Sequence, residues 1–137
     1  MKIFLTGGTG FIGSHLINAA TDRGIQVVAL RREHSSPRVI LSRQPEWVTG
    51  DLRADHTKKL AECDVLMHLA SVGVSPQPAT YDNCYYWNVY KSLLLIEDAV
   101  KVGVKRIVTT GTYAEYGRSS NKFNQIPVNC QLDPIGP

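Results

Sequence analysis

"TGGTGFIGSH" fills residues 6–15, directly behind the apolar run Lys2 to Leu5, and four of its first eight positions are glycine. On its far side Ile12, Leu16 and Ala19 or Ala20 recur at helical spacing, and Gly24 closes the segment as a C-cap does. A second apolar run, Gln26 to Leu30, follows. Strand, glycine-rich turn, helix and strand therefore fit within about 30 residues, the size of one βαβ unit.

The rest of the chain continues this alternation. Further strands are expected at Glu46 to Thr49, Val65 to Leu69 and Arg106 to Thr109. A long helix is expected over about Asn83 to Val102, where Val89, Leu93, Ile96 and Val100 form an apolar stripe and Gly103 is the stop. Short apolar runs between helical patterns specify an α/β fold with a parallel sheet, here a Rossmann-type doubly wound sheet that ends after its fifth strand. The segments Arg31 to Pro45 and Gly117 to Pro137 carry most of the prolines and read as loops. No internal repeat or low-complexity tract interrupts the pattern.

A chain of 137 residues with 43% hydrophobic content has the size and apolar content of one domain. Its net charge of +3 is spread along the chain, which argues against a nucleic-acid partner. The apolar run after Lys2 is too short for a signal-peptide core or a membrane span, so a cytoplasmic location is expected. Cys63, Cys84 and Cys130 are odd in number and far apart, which fits neither a disulfide framework nor a metal knuckle. They read as reduced thiols, and no metal site is expected.

The position of the glycines between a strand and a helix gives them a chemical reading. Gly8-x-Gly10-x-x-Gly13 matches the dinucleotide fingerprint, and Gly7-x-x-Gly10-x-x-Gly13 reads the same stretch in a second register. In either register one glycine turns the chain, one admits a pyrophosphate against the backbone, and one lets the helix pack closely on the sheet. Free N–H groups at the helix start then face the phosphates, aided by the helix dipole. The plainer alternative is a glycine-rich turn that only reverses the chain.

Which dinucleotide is bound depends on the end of the second strand, where an acidic residue grips the ribose 2′-hydroxyl of NAD. The sequence reads "ALRRE" there, with Arg31 in the acidic position and Arg32 beside it. A guanidinium grips a 2′-phosphate with two hydrogen bonds where a carboxylate repels it, so NADP is favoured and NAD stays open. Two solvated arginines at the start of a loop, with Glu33 reaching a 2′-hydroxyl, is the other reading.

Five segments together resemble the extended short-chain dehydrogenase/reductases, in particular the nucleotide-sugar epimerases, dehydratases and reductases, and the resemblance covers the whole chain. "TGGTGFIGSH" is similar to that family's cofactor loop TGxxGFIG, which implies cofactor contacts at Gly7, Gly10, Phe11, Ile12 and Gly13. "GDLR" at 50–53 resembles the segment whose Asp-Leu pair meets adenine, which implies that role for Asp51 and Leu52. "MHLAS" at 67–71 resembles the end of the fourth strand, behind the nicotinamide ribose, and points to Leu69, Ala70 and Ser71. Asn88 in "WNVYKSLLLIEDAV" matches the asparagine of the family's long helix, which implies a cofactor contact there. "VTTGTYAEYG" resembles the fifth strand and its loop, which implies cofactor contact at Thr110 and makes Thr112 the residue that hydrogen-bonds the reacting hydroxyl.

Elementary topology agrees with these placements, because ligands of an open parallel sheet lie across the carboxyl ends of its strands, where all of these segments fall. Each has a plainer alternative: Asp51 as a turn or cap, Thr110 and Thr112 as caps, and His68 as a satisfied core histidine. For His68 the core role is preferred. Tyr81, Tyr85, Tyr86 and Trp87 are expected to close the core or a subunit contact, and helix 83–102 is the candidate contact for a homodimer.

The chain departs from the family in one respect. The resemblance implies a catalytic Tyr-x-x-x-Lys pair, yet no tyrosine here is followed four residues later by lysine. The sequence ends at "LDPIGP", which in the resemblance lies just before that tyrosine. Residues 1–137 are therefore expected to be the N-terminal, NAD(P)-binding part of a longer enzyme acting on a nucleotide sugar, without its catalytic helix and substrate domain. A dinucleotide-binding redox sensor without catalysis and an inert fragment are the alternatives.

Overall fold

The computed structural model describes residues 1–74 and 78–134. Five parallel strands, β1 (Lys2–Thr6), β2 (Gln26–Arg31), β3 (Glu46–Thr49), β4 (Val65–His68) and β5 (Arg106–Thr109), form one sheet in the order β3-β2-β1-β4-β5. Each strand lies within one residue of its sequence reading.

The strands are apolar throughout because both sheet faces are covered. Ile3 and Leu5 of β1 with Val27 and Ala29 of β2 meet Ile17 and Ala20 of α1 (Phe11–Thr21) on one face. Phe4, Val28, Leu30 and Leu66 point the other way, toward Leu60 of α2 (Thr57–Leu60), Cys63, and Leu95 and Ala99 of α4 (Ser92–Lys101). Helices on opposite faces make the sheet doubly wound, and the winding reverses between β1 and β4. The crevice at that reversal is where such sheets take ligands.

The long helix differs from its sequence reading in start, geometry and buried face. It begins at α3 (Tyr81–Cys84), two residues earlier than expected, because Thr80 caps it by accepting a hydrogen bond from the Asn83 N–H at 3.3 Å. It then passes through a π-helical segment, Tyr85–Lys91, before α4. The buried residues of α4 are Ser92, Leu95 and Ala99, whereas Leu93 and Val100 of the expected stripe are exposed. Ser92 turns inward to His68 of β4 at 2.7 Å, and the wider π turn shifts Leu93 and Val100 off the inward side. Tyr81, Tyr85 and Tyr86 are likewise exposed, so they do not close the core.

Of the two loops, the first lies between β2 and β3 as read, although Arg31 itself ends β2. The second contains a short 3-10 segment at Gly117–Lys122, and its last three residues lie outside the described residues. The three cysteines are free thiols, and burial pushes that of Cys63 up to about 11. Among the described residues, no helix is long and apolar enough to cross a membrane.

Candidate functional site

The turn from β1 into α1 selects one of the two glycine registers. Gly7 has φ +73, and a Cβ there would lie 2.7 Å from the Leu69 carbonyl carbon and 2.8 Å from the Ala70 nitrogen. Only glycine permits both the left-handed turn and this approach of the β1 and β4 exits. A Cβ on Gly13 would run into the Gly7 carbonyl oxygen, so the first turn of α1 sits directly on the glycine turn. Among the described residues a Cβ on Gly10 would meet the Gly7 oxygen at 3.2 Å, and the remaining space beside its Cα is open among them. Gly8, by contrast, faces the side chains of Ala29 and Ile17 in the core. Geometry thus favours Gly7-x-x-Gly10-x-x-Gly13.

This open position is also the N-cap of α1. No side chain caps the helix, and its first turn carries no acidic residue, so its leading N–H groups and the positive end of its dipole face outward. That arrangement fits the phosphates of a dinucleotide. Phe11 and Ile12 are exposed beside it. Ser14, which sequence reasoning missed, ties the turn down: its hydroxyl donates to the Gly10 carbonyl at 2.7 Å and accepts the Arg38 N–H at 3.2 Å. The only sequence signal was a small polar residue directly after the last glycine.

At the end of β2, the Arg31 guanidinium lies 4.9 Å from the Trp47 ring centroid. The stack holds the guanidinium at the sheet's end and leaves its N–H edge for another partner. Arg32 and Glu33 are exposed in the loop beyond. After β3, the Asp51 carboxylate accepts from both the backbone N–H and the side chain of Arg53, which holds its pKa below the ordinary carboxylate value. The His56 Nε2 lies 2.8 Å from the Asp51 carbonyl, and Leu52 packs its side chain against the core. Both residues stand where expected, but their side chains are engaged by the protein.

The exit of β4 is held from two sides. Leu69 packs on the core face under α1, and the Ala70 N–H donates to Thr6 Oγ1 at 3.2 Å. Ser71 turns its hydroxyl to the Val72 carbonyl. Asn88 spends its amide on Val72 alone, accepting the Val72 N–H at 2.9 Å and donating to the Val72 carbonyl at 3.0 Å. In this structure the side chain acts as a clamp on the loop. His68 is a buried core histidine bonded at both ring nitrogens, and burial pushes its pKa down. Past β5, the Thr110 N–H donates to the His68 carbonyl at 3.3 Å. Exposed Thr112 caps the 3-10 turn Tyr113–Glu115 by accepting the Ala114 N–H, which leaves its own proton free to donate.

Comparison with known proteins agrees with this geometry. The model of the NAD dependent epimerase/dehydratase family matches residues 3–137. The UDP-glucose 4-epimerase of Azospirillum brasilense is 31% identical over 121 residues, which make up 85% of this chain and 35% of that protein. The structure of MoeE5 in complex with UDP-glucose and NAD aligns with a TM-score of 0.80 at 27% identity, over 98% of this chain and 43% of that one. TunA, an NAD dependent NDP-hexosamine 5,6-dehydratase involved in tunicamycin biosynthesis, aligns with a TM-score of 0.80 at 25% identity, over 98% and 44% of the two chains. The chain thus spans less than half the length of these relatives. With a family match over nearly its whole length and the matching glycine turn at a doubly wound sheet's reversal, the chain belongs to the NAD dependent epimerase/dehydratase family.

Proposed function

We propose that the chain is the dinucleotide-binding part of an enzyme that epimerises, dehydrates or reduces a nucleotide-linked sugar. The open, uncapped start of α1 at Gly10, set where β1 and β4 diverge, carries this reading. When bound, the nicotinamide supplies the transient acceptance and return of a hydride from a sugar carbon. The chain's own residues bind and orient. Main-chain groups from Gly7 to Gly13, with Phe11 and Ile12 beside them, hold the pyrophosphate. Asp51 and Leu52 border the adenine, and Leu69, Ala70, Ser71 and Thr110 line the nicotinamide side. Thr112 positions the reacting sugar hydroxyl through a hydrogen bond and transfers no proton itself.

The proposal extends to NADP(H) as the preferred cofactor, because Arg31 and Arg32 stand where a carboxylate would select NAD. Equilibrium titration is expected to give tighter binding of NADPH than NADH by about tenfold or more, as a desolvated guanidinium–phosphate pair is worth roughly 1.5–3 kcal/mol. Arg31→Ala removes most of this preference and leaves NADH binding nearly unchanged. Equal affinities in the wild type, or a ratio insensitive to Arg31→Ala, would contradict it.

The same reading includes a homodimer through helix 83–102. Val89, Leu93 and Val100 are exposed on this helix together with Tyr85 and Tyr90, an apolar surface suited to a second helix of the same kind. Sedimentation velocity is expected to show a dimer for the wild type and a monomer for Leu93→Glu. A wild type that stays monomeric at tens of micromolar, about the range of a weak dimer, removes this part of the proposal.

A further inference from the structure

We propose that His68 is a positioning residue: with Thr6 and Ser92 it forms a buried hydrogen-bond relay that locks the β4 exit loop to the π turn of the long helix and so fixes the shape of the crevice. The inference rests on the dinucleotide reading of that crevice. It concerns how the crevice is held, and none of the three side chains is placed in contact with the cofactor.

The protons in the relay can be assigned from both ends. Thr6 Oγ1 lies 2.6 Å from His68 Nδ1 and also accepts the Ala70 N–H. With that amide as a donor, the acceptor offered to the Thr6 proton among the described residues is Nδ1, so Nδ1 carries no hydrogen. At the other end Ser92 Oγ lies 2.7 Å from His68 Nε2 and 3.0 Å from the Trp87 carbonyl oxygen. A carbonyl only accepts, so the Ser92 proton goes to Trp87 and Nε2 must be the donor. Both ends demand the same neutral Nε2–H tautomer. Every bond in the chain Ala70 N–H, Thr6, His68, Ser92, Trp87 C=O then runs in one direction. All three side chains are at least nine-tenths buried, and among the described residues no buried side-chain nitrogen or oxygen lacks a partner. Burial, which disfavours the charged ring, acts in the same sense.

The relay's two termini explain its effect. A Cβ on Gly7 would stand 2.8 Å from the Ala70 nitrogen, so the glycine turn lies against this residue and holding its amide also holds the turn. Trp87 is the neighbour of Asn88, whose amide clamps Val72 two residues beyond Ala70. The loop is therefore gripped at Ala70 from the strand side and at Val72 from the helix side, and His68 is the group that ties the two grips together. A change at Ser92, on the far side of the ring, should be felt at Ala70.

The test combines three readouts on the full chain. Nitrogen-15 NMR of the wild-type imidazoles near neutral pH is expected to show His68 as the Nε2–H tautomer, and an Nδ1–H or charged ring overturns the proposal without any variant. Amide exchange at Ala70 is expected to accelerate in Thr6→Val, which keeps the side-chain shape without the hydroxyl, and also in Ser92→Ala, but not in Thr6→Ser. Titration with NADPH and NADH is expected to give roughly tenfold weaker binding for Thr6→Val and Ser92→Ala, and less than about threefold for Thr6→Ser, because each of the first two leaves a buried polar group without a partner. Variants that fold and bind like the wild type, with unchanged Ala70 exchange, overturn the relay. A wild type that binds neither dinucleotide instead overturns the reading of the crevice, and the tautomer and exchange results then decide the relay alone.

Discussion

Gly10→Val is expected to yield a folded chain that has lost the dinucleotide, whereas Gly13→Val is expected to lose the fold first. The two glycines face different things. The backbone of Gly10 (φ −72, ψ 171) suits any residue, and a Cβ there meets only the Gly7 oxygen at 3.2 Å, which must yield by a few tenths of an ångström. Valine at this N-cap costs helix stability on the order of 1 kcal/mol, but its methyls fill the space the pyrophosphate needs. At Gly13 the new Cβ collides with the backbone of Gly7 and Gly8, which cannot move without opening the β1–α1 packing. Overpacking against backbone of this kind costs about 3 kcal/mol or more, a drop in melting temperature on the order of 10 °C for a domain of this size. Melts with and without cofactor separate the cases. At a cofactor concentration of about 100 Kd the wild type gains about 2.7 kcal/mol, Gly10→Val gains nothing, and Gly13→Val melts early in both conditions. A Gly10→Val chain that keeps its cofactor-induced shift would mean the phosphates lie elsewhere.

The contrast between these glycines marks what the sequence could carry. The five strands were readable because each is a short apolar run bounded by breakers, and a sheet covered on both faces needs no alternation to be recognised. The strand–glycine–helix order was readable for the same reason. The glycine register was not, since Gly7 and Gly8 differ only in φ and in what lies across from them, and that neighbour comes from β4, more than 60 residues later, a separation seen in the Ala70–Thr6 bond. The buried side of the long helix differs from the expected stripe because periodicity counts large apolar residues, while burial falls on Ser92 and Ala99 together with Leu95. Asn88 was legible as a special polar residue in an apolar helix, but not its partner, which is main chain and so has no side-chain signature. Asp51 was found at its strand end, yet its pairing with Arg53, two residues on, needed the turn geometry.

That pairing bears on the proposed adenine contact. With its carboxylate engaged by Arg53 and its carbonyl by His56, Asp51 is part of a closed turn, and Leu52 is turned into the core. In the proposed function the adenine edge therefore meets groups fixed in advance, which lowers the ordering cost of binding. The same economy recurs at β4, where the loop that would flank the nicotinamide is already held by Thr6 and Asn88. In the proposed function such a crevice receives a cofactor with little rearrangement of its own. On that reading the described residues hold the cofactor side of a reaction, and the proton-handling side is a separate matter.

No measurable turnover is expected from this chain alone, even with Thr112 in position. Thr112 Oγ1 already accepts the Ala114 N–H, so it can offer a proton to a substrate oxygen but is a poor acceptor of one. His68, the histidine at a strand end, has both nitrogens committed to hydroxyls and is buried. No tyrosine is followed four residues later by lysine, the pair that the family resemblance assigns to proton exchange. General acid–base catalysis contributes a factor of about 10² to 10⁴. The chain spans 35% of the length of the Azospirillum epimerase, and the proposed function assigns residues 1–137 the cofactor contacts and the Thr112 hydroxyl contact rather than the wider grip on a sugar nucleotide. Binding energy remote from the reacting carbon is what holds that carbon in place, and its loss costs further rate. Incubation with NADP⁺ or NADPH and a panel of nucleotide sugars and their 4-keto forms, followed by nicotinamide absorbance and product chromatography, is expected to show binding without conversion. Conversion that persists in this chain and vanishes in Thr112→Ala would place the chemistry on residues 1–137 and make the tyrosine–lysine pair dispensable.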